Sequence, residues 1–176
     1  MTTSTTPMKR IALRSIQIMA DGTPEDFEAV VHPQAHNREA VDEPPASRGA
    51  GPAAFYATAL WLRAAYADLA WEIHDVVEDG DLVVVHATMS GRQVGTFVTY
   101  DPDGSPAQAF PATGASFSTT QSHWLRIADG QVIEHWANRD DLGTAVQLGW
   151  TPPSPVYLAK MLVATRRARR AAATPG

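Results

Sequence analysis

The sequence predicts an α+β fold: a curved antiparallel sheet forming a cone, with N-terminal helices covering it. Three observations lead there. Through the first seventy residues, apolar side chains recur at three- and four-residue steps, and the period then shortens to two. The period-two stretch is cut by Asp79-Gly80, Asp101–Ser105 ("DPDGS") and Asp129-Gly130, which are turn signals between strands. Helical spacing returns after Asp141. Helices segregated from a run of strands mean α+β, whereas alternation would have meant a parallel α/β sheet.

The elements follow in order. Residues 1–8 form a Ser/Thr-rich lead, expected to be disordered. Lys9–Met19 places Ile11, Leu13, Ile16 and Ile18 at roughly helical spacing until Asp21-Gly22 breaks the run. Thr23-Pro24-Glu25-Asp26 begins a second helix with an N-cap, a first-position proline and first-turn acids. Phe27, Val30 and Val31 are its apolar stripe, and His32-Pro33 ends it. Residues 33–52 carry four prolines and read as a covering loop. Pro52–Leu69 reads as a third helix, with Phe55, Ala59, Leu62 and Tyr66 on one side. The expected strands are 70–78, 82–90, 93–100, 115–127 and 131–138. A short helix over 141–148 follows, and Pro155–Arg170 is a C-terminal basic helix with a tail. Domain organisation is thus a lead over 1–8, one domain over 9–150, and the helix and tail over 151–176.

Composition narrows the function. The 176 residues include no cysteine, which excludes disulfides, thiolate catalysis and Cys-ligated metals. A net charge of -5 argues against nucleic acid as a partner. Lys160, Arg166, Arg167, Arg169 and Arg170 lie beyond the last acidic residue, Asp141. They read as a solvated helix end, where cations suit the dipole. No apolar run approaches a membrane span, and the first residues lack a signal-peptide core, so a soluble cytoplasmic protein is expected. Six histidines include no H-x-x-x-H helix pair, so no metal is expected.

Three stretches carry a family resemblance: "DLAWEIHDVVEDGDLVVVHATMSGRQVGTF", "PATG" and "HWLRIADGQVIEHWANRDDLGTAVQLG". Over about Lys9–Trp150 the chain resembles the SnoaL-like polyketide cyclase (ester cyclase) family, within the nuclear transport factor 2-like superfamily. The resemblance implies a cystatin-like α+β barrel with one apolar cavity. It implies a cofactor-independent cyclase or isomerase acting on an apolar or aromatic carbonyl compound, without metal and commonly as a homodimer. The superfamily also contains hydrolases that use an acid-activated water, and non-catalytic binding or dimerising modules. Residue 137 is Ala, where many relatives carry an Asp beside the Trp.

An aldol closure removes a proton from a carbon beside a carbonyl and protonates a second carbonyl. One carboxyl poised near neutrality by burial would serve. Asp140, four residues after Trp136, is the expected carboxyl; Trp136, Asn138 and Asp140 share one face of an alternating strand. One of Asp140 and Asp141 would cap the following helix while the other faces inward. His123 is the second catalytic candidate, on a face with Phe117, Thr119 and Gln121. A two-residue hairpin loop would pair His123 with Trp136; a three-residue loop with a bulge would pair it with His135. Asn37 on the loop, His86, Gln121, His135, Trp136 and Asn138 complete the expected substrate-binding set, with the outer sheet face as the alternative for His86. Phe55, Trp61 and Tyr66 are expected in the core.

Overall fold

The computed structural model describes residues 6–173. Helix α1 (Pro7–Asp21) starts at Thr6, whose hydroxyl accepts from the Lys9 backbone N–H. The expected lead is therefore corrected at residues 6–8; residues 1–5 lie outside the described part. The far end of α1 is held by Arg63, whose guanidinium donates to the carbonyls of Ile18, Met19 and Gly22 at 2.6, 2.9 and 2.9 Å. A cation there also suits the helix dipole. Helix α2 (Pro24–Val30) opens with a reciprocal capping box between Thr23 and Asp26.

The expected loop after α2 instead begins with strand β1 (Val31–Asn37), which pairs parallel with the last strand. So the sheet is not wholly antiparallel. Pro33 hid this strand. It lacks an N–H, and sheets tolerate that at an edge, where β1 lies. A 3-10 turn (Pro45–Arg48) leads to α3 (Pro52–Ala65). Helix α3 is shorter than expected, because Tyr66 already starts β2 (Tyr66–Asp79).

Strand β3 (Leu82–Gln93) alternates buried positions with half-buried ones, Arg92 alone being exposed. Strands β4 (Phe97–Tyr100) and β5 (Pro106–Phe110) form a separate two-stranded sheet, and β5 was not expected. Strands β6 (Ser116–Ala128) and β7 (Gln131–Arg139) form the long hairpin. Its turn, Asp129-Gly130, has both residues at positive φ, 52° and 77°, as a two-residue hairpin of native twist requires. The main sheet runs β1-β7-β6-β3-β2 and is curved but not closed. Helices α4 (Asp141–Gln147) and α5 (Pro155–Ala173) follow.

Two apolar clusters flank the interior. One sets Ile16, Ile18 and Phe27 of the helices against Val83, Val85, Leu125 and Val132 of the sheet. The other gathers Tyr66, Met89, Phe117, Leu148 and Trp150. Among the described residues no helix is long and apolar enough to cross a membrane.

Candidate functional site

The β6–β7 register decides what faces inward. The two-residue turn pairs Ile127 with Val132, but Arg126 pairs with Glu134, so Ile133 is a bulge. Neither anticipated pairing of His123 occurs; it stands opposite Ala137, while His135 stands opposite Leu125. Cross-strand partners share a face, so one extra residue turns His135, Ala137 and Arg139 to the same side as Gln121, His123 and Leu125. Trp136 and Asn138 go to the other side.

Between sheet, α3, the 38–48 segment and the β4–β5 ribbon lies a cavity of about 320 Å³. Phe55, Trp61, Tyr66, Trp71, Phe97 and Trp150 line it. Three of these, Phe55, Trp61 and Tyr66, were expected in the core; Phe55 and Tyr66 serve both, being under 10% exposed while bordering the hollow.

One wall is polar and continuously hydrogen-bonded. His123 Nε2 lies 2.9 Å from Gln121 Oε1, and His123 Nδ1 lies 3.0 Å from His135 Nε2. His135 Nδ1 lies 2.9 Å from Asn37 Oδ1. Asn37 Nδ2 donates to Glu43 Oε1 at 3.5 Å, and the Thr58 hydroxyl donates to Glu43 Oε2. The register delivers Asn37, since β1 aligns it with His135. Trp71 Nε1 donates to Gln121 Oε1 at 3.4 Å. The two imidazoles stack, with centroids 5.3 Å apart.

Burial governs the protonation of this wall. It pushes the His123 imidazole down to about 4, with the Arg139 charge acting in the same direction. Burial also holds His135 well below the usual histidine value, helped by His123 and Arg139. Burial raises the Glu43 carboxyl, against the opposing Thr58 hydrogen bond. Both rings are therefore neutral at neutral pH.

Of the expected site residues, Asn37, Gln121, His123 and His135 line the cavity together. Asp140 does not: it caps α4, its carboxylate accepting from the Gly143 N–H at 2.8 Å, and it is exposed. Asp141 borders the cavity instead, but its side chain is 73% exposed and ion-paired with Arg139 at 3.4 Å. Neither aspartate is a buried carboxyl; Glu43, 2% exposed, is. Trp136 and Asn138 lie on the outer face, where Trp136 stacks on Trp124 and carries Arg38 above it, and Asn138 accepts from Trp124 Nε1. His86 is there too, bonded to Ser122 and beside His74. Trp136 and Asn138 share a face, but the bulge turns it away from the cavity, and Asp140 lies beyond the end of β7 as the cap of α4. Glu43, Thr58 and Trp71 were missed. Glu43 sits in the aperiodic "VDEPPAS", where only its contact with α3 reveals burial. Among the described residues no three His, Asp or Glu are grouped to hold a metal ion.

Comparison with known proteins gives the family and the fold. The family model described as SnoaL-like polyketide cyclase matches residues 9–148. The aklanonic acid methyl ester cyclase DnrD of Streptomyces peucetius is 34% identical over 143 residues, covering 81% of this chain and 90% of the relative. The nogalonic acid methyl ester cyclase of Streptomyces nogalater is 30% identical, covering 73% and 87%. The structure of TsrD from Streptomyces laurentii superposes with a TM-score of 0.66 at 26% identity, covering 81% of this chain and 95% of TsrD. A nuclear transport factor 2-like protein from Burkholderia thailandensis, 17% identical, shares the fold at a TM-score of 0.54, covering 81% of this chain and 96% of that one. With a cyclase family model spanning most of its length and cyclase relatives matched along most of theirs, the chain belongs to the SnoaL-like polyketide cyclase family.

Proposed function

We propose that this protein closes a ring on a polyketide-like methyl ester by acid–base chemistry alone, an intramolecular aldol reaction in the aromatic cavity. The observation that carries the reading is the hydrogen-bonded wall Gln121–His123–His135–Asn37–Glu43 in an otherwise apolar hollow. A carbon between two carbonyls is already acidic, so orientation, exclusion of water and one group that accepts and returns a proton suffice. The proton leaves that carbon or its enol, a C–C bond forms to the acceptor carbonyl, and the acceptor oxygen takes a proton. The product is an isomer of the substrate and nothing is consumed. The named relatives support a polyketide methyl ester as substrate class. A cytoplasmic location and a homodimer belong to the same reading. The exposed apolar side chains Val156, Leu162 and Val163 of α5 support the dimer.

Incubation with an aromatic polyketide methyl ester bearing a β-dicarbonyl side chain is expected to yield a cyclised isomer of unchanged mass, followed by chromatography and absorbance. His123→Ala should lower kcat at least ~100-fold. Asp140→Ala should keep turnover within a few-fold while costing about 1 kcal/mol of stability for the lost cap. Failure to cyclise any such ester, or unchanged turnover in His123→Ala, would remove the proposal.

A further inference from the structure

A buried phenol or indole normally finds a hydrogen-bond partner, because shutting an unpaired donor away from water costs free energy. The indoles of the cavity wall follow this rule. Trp61 Nε1 donates to the Val98 carbonyl at 2.8 Å, Trp150 Nε1 donates to Gln93 Oε1 at 3.1 Å, and Trp71 is committed to Gln121. The Ser and Thr hydroxyls of the lining are likewise bonded within the protein. Tyr66 is the exception. It is 6% exposed and borders the cavity, yet its hydroxyl has no hydrogen-bond partner among the described residues. Ser47 Oγ is the one fully sealed side-chain oxygen or nitrogen there without a partner, so the Tyr66 hydroxyl keeps a little open surface. Phe97 and Phe117 pack against the Tyr66 ring, with centroids 5.6 and 5.2 Å away, and fix the direction of its tip. Tyr157, in the same apolar cluster, is committed to the Pro111 carbonyl.

We infer that Tyr66 is a ligand-binding residue whose hydroxyl donates to an uncharged carbonyl oxygen of the ligand. The inference rests on the cavity being the site of the proposed function and adds one named contact to it. Two features select that kind of oxygen. Burial holds the Tyr66 hydroxyl protonated well above the ordinary tyrosine range, and the Asp141 charge acts in the same direction. At neutral pH the group is therefore a donor and not a base. The same Asp141 charge opposes a carboxylate at this point, which leaves a ketone or ester carbonyl as the fitting acceptor. Tyr66 opens β2, and Trp71, further along that strand, donates to Gln121 of the polar wall. A ligand lying along β2 meets polar groups at two separated points, with aromatic side chains around its apolar body. Two anchors on one rigid strand fix which end of the ligand enters first.

Tyr66→Phe removes the hydroxyl and keeps the ring, so packing against Phe97 and Phe117 survives. Two ligands of one shape differ at a single group: 2-acetonaphthone carries a carbonyl where 2-ethylnaphthalene carries a methylene. Titrations followed by tryptophan fluorescence give both dissociation constants. From wild type to Tyr66→Phe, 2-acetonaphthone should bind about five-fold more weakly, while 2-ethylnaphthalene stays within about two-fold. Equal weakening of both ligands would mean that Tyr66 only packs, and weakening of neither would mean that its hydroxyl meets no carbonyl. Either result, or no binding of 2-acetonaphthone to the wild type, overturns the inference. The infrared carbonyl stretch of bound 2-acetonaphthone is a second readout that packing alone does not move. It should lie below its position in hexane and return toward that position in Tyr66→Phe; an identical stretch in the two proteins would also overturn the inference. None of these measurements requires turnover. A protein that passes them yet cyclises nothing would count against the proposed reaction and leave this inference standing. A cyclising protein whose preference for the carbonyl is unchanged in Tyr66→Phe would refute this inference alone.

Discussion

At the scale of single residues, the chemistry of this protein rests on which groups are shut away from water. Two adjacent aspartates differ in role because Asp140 caps α4 and Asp141 borders the cavity from a solvated position. Of the groups lining the cavity, Glu43, His123 and Tyr66 are buried titratable groups and His135 is half-buried, with Glu39, Asp42, Arg139 and Asp141 as the other charged groups. Burial of the imidazoles has a measurable consequence. The unfolded chain protonates His123 near its ordinary value of 6.5, whereas the native ring resists until about 4. The unfolded state therefore binds more protons through that window, so stability is full above about pH 6.5 and falls as the pH drops toward 4. His135 adds in the same direction. Glu43, raised in the native state, acts oppositely, its contribution being lost as pH rises above 4.5. Denaturant unfolding between pH 7 and 4 should show His123 alone accounting for about 3 kcal/mol of loss. His123→Phe should flatten the slope; an equal slope would mean that the ring is solvated.

At the scale of elements, the site depends on two features that set where strands lie. The bulge at Ile133 brings His135 beside His123. The edge strand β1 brings Asn37 to His135, and its position is tied to the start of α3 by Gly51, whose N–H donates to the Ala35 carbonyl at 2.9 Å. Gly51 has φ of +83°, and a Cβ there would stand 2.5 Å from the Pro33 carbonyl oxygen. Gly51→Ala should thus cost about 1–3 kcal/mol, through strain and through the push on β1. Chemical denaturation checks this, and full stability in the variant would deny the close approach. Sequence reasoning weighed a bulge in this hairpin without fixing its place, and it missed β1. Period-two patterning gives the faces of a strand up to one inversion, and a bulge is that inversion. Pro33 and the polar residues of β1 suppress a pattern that only a neighbouring strand explains.

At the scale of the whole molecule, α5 closes the structure. It lies on β5, where Thr165 accepts from the Ala109 N–H, Arg169 donates to the carbonyls of Pro106 and Ala107, and the Tyr157 hydroxyl donates to the Pro111 carbonyl. Helix α5 itself buries only Met161, so polar ties dominate. The β4–β5 ribbon held this way supplies Phe97, Thr99 and Phe110 to the cavity wall. Removing residues 155–176 deletes these bonds, worth about 1 kcal/mol each and about 3–4 kcal/mol together. The thermal midpoint should then fall by roughly 6–16 °C as the ribbon loosens. An unchanged midpoint in differential scanning calorimetry would make α5 an appendage.

The sequence by itself determined the segregation of helices and strands, the Asp129-Gly130 hairpin and the family. It also determined that Phe117, Thr119, Gln121 and His123 share a face, because alternation and turn chemistry are local properties of the chain. Only the tertiary structure decided which side of β7 meets the cavity, that β1 is a strand, and that Glu43 is buried. Those facts depend on one unpaired residue in a ladder and on contacts between segments far apart in the chain. Local periodicity contains no record of either.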